Sequence, residues 1–374
     1  MVETVWFWQD ILSPHVTGLA ASLAARGVDV TYVAERQMTA DRAAQGWEAP
    51  ALGAAHLHFA PDKESVRCLV ARAPADSIHI CQGLRGNELL AEAQRALAKR
   101  ALRQWVMMET VDDRDWRGTL KRHVYRSLLR ETRDSIQGML AVGHSTRDWL
   151  VGRGGDADRV FPFAYFLPEP PMVSAPPIYS EAPFRVLFVG QLIRRKGLDQ
   201  LIDALDRLAL SSVELAVIGT GPLERELRDR AELALGARLL WLGRQPQQAV
   251  PGHMAAADCL VLPSRFDGWG AVVSEALMAG TPAICSDRCG AAGVVQASGR
   301  GGVFPAGDIE AMAALLRRRI DEGRPTVAGR ASLARWARCL GAEAGADYLA
   351  AILRHTEAEG RTPPPPWIGN HGRA

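Results

Sequence analysis

Short apolar runs alternate with stretches of helical periodicity along almost the whole chain. In the first half, Val5 to Trp8, Val28 to Val33, Ile78 to Cys81, Trp105 to Met108 and Met139 to Val142 read as strands. A helical pattern from Thr17 to Ala25 ends at Gly27. Strands that are apolar throughout and separated by helices predict a parallel sheet covered on both faces. The texture then changes: the segment from Leu167 to Pro183 holds six prolines in 17 residues, which excludes a helix or a central strand and predicts an extended linker. Beyond it the alternation restarts. Phe184 to Val189, Leu215 to Ile218, Leu239 to Leu242, Cys259 to Leu262 and Pro282 to Cys285 are expected strands. Leu198 to Leu210 and Pro222 to about Leu235 are expected helices.

The predicted organisation is therefore a Rossmann-like domain over 1–166, a Pro-rich linker over 167–183 and a second Rossmann-like domain over 184–340. A C-terminal helix over 341–360, packing back on the first domain, and a loose tail over 361–374 complete it. No repeat with a period of 20 to 50 residues is present.

Composition narrows the function classes. Among 374 residues 48% are hydrophobic and 23% charged, and the net charge of +2 argues against a dedicated nucleic-acid binder. No run of 18 apolar residues occurs, and the N-terminal Met-Val-Glu-Thr-Val-Trp-Phe-Trp reads as a first strand rather than a signal peptide. The six cysteines are scattered without a Cys-x-x-Cys pair, which favours free buried thiols over disulfides or a zinc site. The expected compartment is the cytoplasm.

Three glycine-bearing loops in the second half each follow an expected strand and open an expected helix. They are Phe188-Val-Gly-Gln-Leu-Ile-Arg-Arg-Lys-Gly197, Ile218-Gly-Thr-Gly-Pro222 and Pro263-Ser-Arg-Phe-Asp-Gly-Trp-Gly270. Glycine admits a ligand close to the backbone, and a helix N-terminus offers unpaired N–H groups and partial positive charge. In an open α/β sheet such loops collect at the carboxyl ends of the strands, where ligands bind. Asp267 and Glu275, separated by seven residues, place two carboxylates within about 12 Å along one helix. That spacing suits the two ends of an extended nucleotide sugar, because an ionised carboxylate accepts hydrogen bonds from vicinal hydroxyls.

From Phe184 to about Asp308, a third of the chain, the sequence resembles the family 4 retaining glycosyltransferases of GT-B fold (glycosyl transferases group 1). Besides the three loops, Trp241-Leu-Gly243, Ala257-Asp-Cys-Leu-Val-Leu-Pro-Ser264 and Asp267-Gly-Trp-Gly-Ala-Val-Val-Ser-Glu-Ala-Leu-Met-Ala-Gly-Thr-Pro282 carry the likeness. It implies two Rossmann-like domains facing each other across a cleft, with a UDP- or GDP-sugar as donor co-substrate and no cofactor. Lys196 would contact the diphosphate, Glu275 the ribose and Asp267 the transferred sugar. Gly190, Gln191, Gly219, Gly221, Gly243, Gly268, Trp269 and Gly270 would line the donor. The chain departs from the family pattern in two places: Gln191 replaces the usual arginine, leaving Arg195 or Arg194 as the second cation, and Asp267 is one methylene shorter than the usual glutamate. The resemblance further implies front-face attack by the acceptor hydroxyl, without a covalent intermediate or a metal.

Readings from other classes are an epimerase or hydrolase on the same scaffold, a non-catalytic sugar-nucleotide-binding subunit, and a metal-dependent transferase using Asp113-Arg-Asp115 or Asp156-Ala-Asp158. A dinucleotide-dependent oxidoreductase is a further one, but the third glycine of its fingerprint is absent, since residue 224 is Glu. The first half is less specific: Glu109, His15 and His144 are acceptor-side candidates for a glycan or a lipid-linked acceptor. Between Arg114 and Arg133 seven basic residues face two acidic ones, with Leu120, Val124, Leu128 and Leu129 at near-helical spacing. This segment reads as an amphipathic helix whose basic face is either solvated or docked on an anionic membrane. The expected acceptors belong to bacterial polysaccharide or lipopolysaccharide synthesis.

Overall fold

The computed structural model describes residues 4–39, 50–85, 87–169, 182–356 and 362–368. Most of the expected linker (170–181) and half of the expected tail (369–374, with 361) lie outside the described residues. The chain divides into two compact units, Met1–Pro168 with Leu340–Pro366, and Glu169–Cys339 with Trp367–Ala374.

In the first unit the strands are β1 (Thr4–Ile11), β2 (Asp29–Arg36), β3 (His56–Phe59), β4 (Ile78–Gln82), β5 (Arg103–Glu109), β6 (Ile136–Val142) and β7 (Val160–Phe163). They form one sheet in the order β3-β2-β1-β4-β5-β6-β7, with every pair parallel. Among its helices are α1 (Pro14–Ala24), α2 (Lys63–Arg72), α3 (Glu88–Lys99), α4 (Gly118–Glu131) and α5 (Thr146–Val151). The central strands are apolar throughout because helices cover both faces. Trp6, Trp8, Val33 and Cys81 pack against Val66, Val70, Leu90 and Leu97, and a second cluster joins Val106, Met139 and Ala141 to Tyr125, Leu129 and Trp149. His79 lies inside the sheet, with Nδ1 accepting from the Trp8 indole at 3.1 Å, and burial lowers its pKa to about 3. It is a neutral packing residue.

The second unit repeats the plan with β8 (Phe184–Val189), β9 (Val213–Ile218), β10 (Leu239–Gly243), β11 (Cys259–Leu262), β12 (Ala283–Ser286) and β13 (Gly301–Phe304). Their order is β10-β9-β8-β11-β12-β13, again all parallel. The helices are α6 (Leu198–Leu208), α7 (Glu224–Leu235), α8 (Val250–Ala256), α9 (Ala271–Met278), α10 (Ala292–Ser298), α11 (Ile309–Asp321) and α12 (Val327–Ala337). α12 is fastened from below by Arg330, whose buried guanidinium donates to the Ala257 carbonyl at 2.7 Å, Thr281 Oγ1 at 3.1 Å and Asp258 Oδ1 at 3.2 Å. In each sheet the chain reverses its direction of winding once, between β1 and β4 and between β8 and β11. Ligands of open α/β sheets bind at the strand carboxyl ends beside that reversal.

The last helix, α13 (Ala342–His355), belongs to the first unit and packs on α1. Tyr348 donates to the Pro162 carbonyl at 3.0 Å, Arg26 pairs with Asp347 at 2.8 Å, and in a short parallel bridge to Gly341 the Leu167 N–H donates to the Leu340 carbonyl while its own carbonyl accepts from the Ala342 N–H. The two units are those of the GT-B fold.

One expected stripe is rearranged. On α4, Tyr125 and Leu129 are the buried residues, whereas Leu120 is 66% exposed and Trp116, just before the helix, 85% exposed. Gly118, at the start of α4, lies against the Asp113 carbonyl, where a Cβ would not fit.

Candidate active site

The loops that follow β8, β9 and β11 interlock. The loop after β8 runs from Gly190 through a single 3-10 turn (Arg194–Lys196) to Gly197, which opens α6. Gly219, at the end of β9, has φ +144°, and a Cβ there would lie 1.8 Å from the Gly190 carbonyl oxygen. Only glycine lets these two loops touch. Gly219 N–H in turn donates to the Gly243 carbonyl at the end of β10. Gly221 approaches Leu192 in the same way, so these glycines first of all seat one loop on another.

The loop after β11 is joined to the 3-10 turn and to Asp199, in the first turn of α6, by five bonds. Arg265 N–H donates to the Arg195 carbonyl at 2.8 Å, and the Arg265 guanidinium to the Arg194 carbonyl at 2.6 Å and to both carboxylate oxygens of Asp199 at 2.9 and 2.6 Å. Reciprocally, Arg195 donates to the Phe266 carbonyl at 2.9 Å. Two-pronged arginine–carboxylate contacts fix geometry as well as adding energy. Arg265 and Asp199 had no place among the sequence candidates, since their pairing is visible only once the loops are folded together.

This interlock brings Lys196 to Asp267, Nζ to Oδ2, at 2.6 Å, with both side chains 15% exposed or less. Ser264 Oγ adds a bond to the same oxygen at 3.3 Å, and Arg195 lies 3.9 Å from the other. The Asp267 main chain is pinned between the Arg288 carbonyl and the Gly290 N–H, both at 3.0 Å. Gly268, Trp269 and Gly270 complete the turn, with Gly270 as the cap of α9. Trp269 points inward: it is buried, its indole N–H donates to Ser274 Oγ at 3.1 Å, and it offers a ligand only its main chain. Gln191 is partly buried at the head of the first loop.

Glu275 sits in the second turn of α9 and differs from Asp267 in one respect. Its carboxylate is partly buried and makes no hydrogen bond or ion pair with any described residue, and burial raises its pKa to about 7. An unpaired carboxylate withdrawn from water retains all its capacity to accept from hydroxyls.

In the first unit, Glu109 ends β5, His144 is exposed just beyond β6, and His15 lies in the first turn of α1 with its ring stacked on Tyr165 at 5.0 Å. All three are at the carboxyl side of the sheet. The Asp-x-Asp triplets are spent on local ties: Asp113 pairs with Arg153 and accepts from the Trp149 indole, Asp115 pairs with Lys121, and Asp156 with Arg159. Among the described residues no three metal-binding side chains converge.

Residues 177–332 match the family described as glycosyl transferases group 1. They belong to that family. The group 1 match spans the three loops, Lys196, Asp267 and Glu275. The chain is 31% identical over 224 residues to a phosphatidyl-myo-inositol mannosyltransferase of Mycobacterium leprae, covering 57% of this chain and 59% of that protein. It is 30% identical over 154 residues to the amylovoran biosynthesis glycosyltransferase AmsK of Erwinia amylovora, covering 39% and 38%. The chain thus spans less than two thirds of the length of these relatives. Among solved structures, Anabaena HepE in complex with UDP superposes with a TM-score of 0.72 at 16% identity, over 94% of this chain and 99% of that one. The likeness shows the fold.

The environment of Glu275 sets a pH dependence. Its ordinary pKa of 4.5 is raised to about 7 in the folded chain, so its contribution to stability is complete below 4.5 and is lost as pH rises through 7. Glu275→Gln removes the buried charge. Its melting temperature is expected to match wild type at pH 4 and to exceed it at pH 8, by the equivalent of up to about 3 kcal/mol. Equal melting at both pH values would show that the carboxylate is not withdrawn from water.

Proposed function

We propose that the chain is a retaining glycosyltransferase of family 4, transferring a sugar from a UDP- or GDP-sugar to a hydroxyl of a glycan or lipid-linked acceptor on the cytoplasmic side of polysaccharide or glycolipid synthesis. One observation carries the reading: the Lys196–Asp267 pair stands at the head of the helix whose second turn holds the unpaired Glu275. The relatives named above, a mannosyltransferase and an amylovoran-synthesis enzyme, support the acceptor class, and UDP-bound HepE supports the donor class.

On this reading the donor diphosphate takes Lys196 away from Asp267, and Arg195 with the N-terminal amides of α9 adds positive charge. Asp267 then accepts from a hydroxyl of the transferred sugar, and Glu275 from the ribose hydroxyls. As the bond from sugar to phosphate breaks, the acceptor hydroxyl attacks from the same face and its proton passes to the departing phosphate oxygen. The protein supplies position and charge, so the scheme needs no covalent enzyme nucleophile and no metal.

The acceptor class gives the exposed side of α4 a role. Trp116 and Leu120 project into solvent beside Arg117, which stacks on Trp116 at 4.5 Å, and Arg126 and Arg130 are exposed further along the helix. Lys121 and Arg122 are turned inward onto Asp112, Asp113 and Asp115. Aromatic and apolar anchors framed by arginines suit the interface of an anionic bilayer, where each arginine contributes about 1 kcal/mol.

Lys196→Ala is expected to lower kcat about 10²- to 10³-fold, with wild-type turnover unchanged in EDTA. Wild-type rates in the variant, or loss of turnover in EDTA, would contradict the scheme. Donor consumption that needs no acceptor would favour the hydrolase reading. For the membrane face, the protein should co-sediment with phosphatidylglycerol vesicles in low salt, and Trp116→Ala with Leu120→Ser should release it. Sedimentation unaffected by that double substitution would remove α4 from the docking surface.

A further inference from the structure

The loop that carries Asp267 rests on the turn between β12 and α10. Ser286 Oγ, at the end of β12, donates to the Ser264 carbonyl at 2.6 Å, and Arg288 and Gly290 hold the Asp267 main chain. Two residues further on, the Trp269 carbonyl accepts twice from the same turn, from the Ala291 N–H at 2.8 Å and from the Cys289 thiol at 3.0 Å. Cys289 is 1% exposed, and a Cβ on Gly270 would lie 2.6 Å from its sulfur. The thiol therefore packs directly on the Gly270 α-carbon.

These contacts reach the donor side through one peptide plane. In a trans peptide the C=O and the N–H point in opposite directions within a single plane, and the Trp269–Gly270 peptide is trans. Fixing the Trp269 carbonyl on the turn therefore aims the Gly270 N–H away from it. One bond to that carbonyl leaves the plane free to rock; a second, on the other lone pair, sets it. Gly270 is buried, caps α9 and keeps φ at +86°, and its N–H donates to no described residue. Buried main-chain N–H groups without an acceptor are rare in native chains. At the positive end of α9, the acceptor that suits this one is an anionic oxygen. We propose that Cys289 is a positioning residue of the donor site: its thiol sets the Trp269–Gly270 plane and so holds the Gly270 N–H ready for the donor diphosphate. The diphosphate rests on the transferase reading. The hold on the peptide does not.

The test joins relaxation-dispersion NMR at the Gly270 amide of the full chain to calorimetric binding of UDP, GDP, uridine and guanosine. In the free chain the Gly270 amide should show no microsecond-to-millisecond exchange in wild type, exchange in Cys289→Ala, and none again in Cys289→Ser, which restores a donor of similar size. Whichever nucleotide binds wild type should bind Cys289→Ala about tenfold more weakly, with its nucleoside unchanged. Lost packing alone would weaken nucleotide and nucleoside alike, and serine would not rescue it. Cys289→Val, which fills the space without donating, serves if the alanine variant fails to fold. A quiet Gly270 amide in the variant without a donor, equal losses of nucleotide and nucleoside, or a serine variant that behaves like alanine would each overturn the proposal. If neither nucleotide binds wild type, the donor reading falls, while the Gly270 amide still decides whether Cys289 holds the peptide.

Discussion

Lys196 and Asp267 come from loops 71 positions apart and meet at 2.6 Å because the two loops are bolted together beneath them. The clamp of Arg265 on Asp199 and on the Arg194 carbonyl sets the 3-10 turn, and the turn sets the lysine. Each member of the pair would be a poorly hydrated charge without the other. Such a pair contributes little net stability, since desolvation offsets most of the attraction. Its members can therefore be exchanged for a phosphate and a sugar hydroxyl at small cost.

Among the described residues, each unit leaves a polar group without a partner near the reversal of its sheet. In the second unit it is Glu275, without a partner on the helix that follows β11. In the first it is Gln9, without an acceptor at the end of β1. These strands flank the reversal of each sheet, where the connecting helices diverge and leave the strand ends uncovered. Arg330 and His79 are buried groups that do find partners, Asp258 and Trp8. Stability given up at Glu275 is what ligand recognition commonly asks of a fold.

The long apolar strands were legible because burial on both faces leaves an unbroken hydrophobic run, as in Val5 to Trp8 and Phe184 to Val189. Two of the three missed strands lack that mark, and the third, β7, is Val-Phe-Pro-Phe, whose proline argues against a strand. β3 is an edge strand, exposed throughout as His-Leu-His-Phe, and β13 begins with two glycines. Asp267 and Glu275 were legible as a pair because one continuous loop and helix carry them at a fixed spacing. Spacing also says little about which way a side chain faces. Leu120 fits a helical stripe yet faces solvent, and Trp269 stands in a ligand loop yet packs inward on Ser274.

A crystal structure of the full chain with UDP or GDP bound tests the central claim most directly. The account predicts the diphosphate against Lys196 Nζ, with the lysine withdrawn from Asp267, and the ribose hydroxyls on Glu275. A nucleotide bound elsewhere, or one that leaves the Lys196–Asp267 pair intact and Glu275 empty, would contradict it.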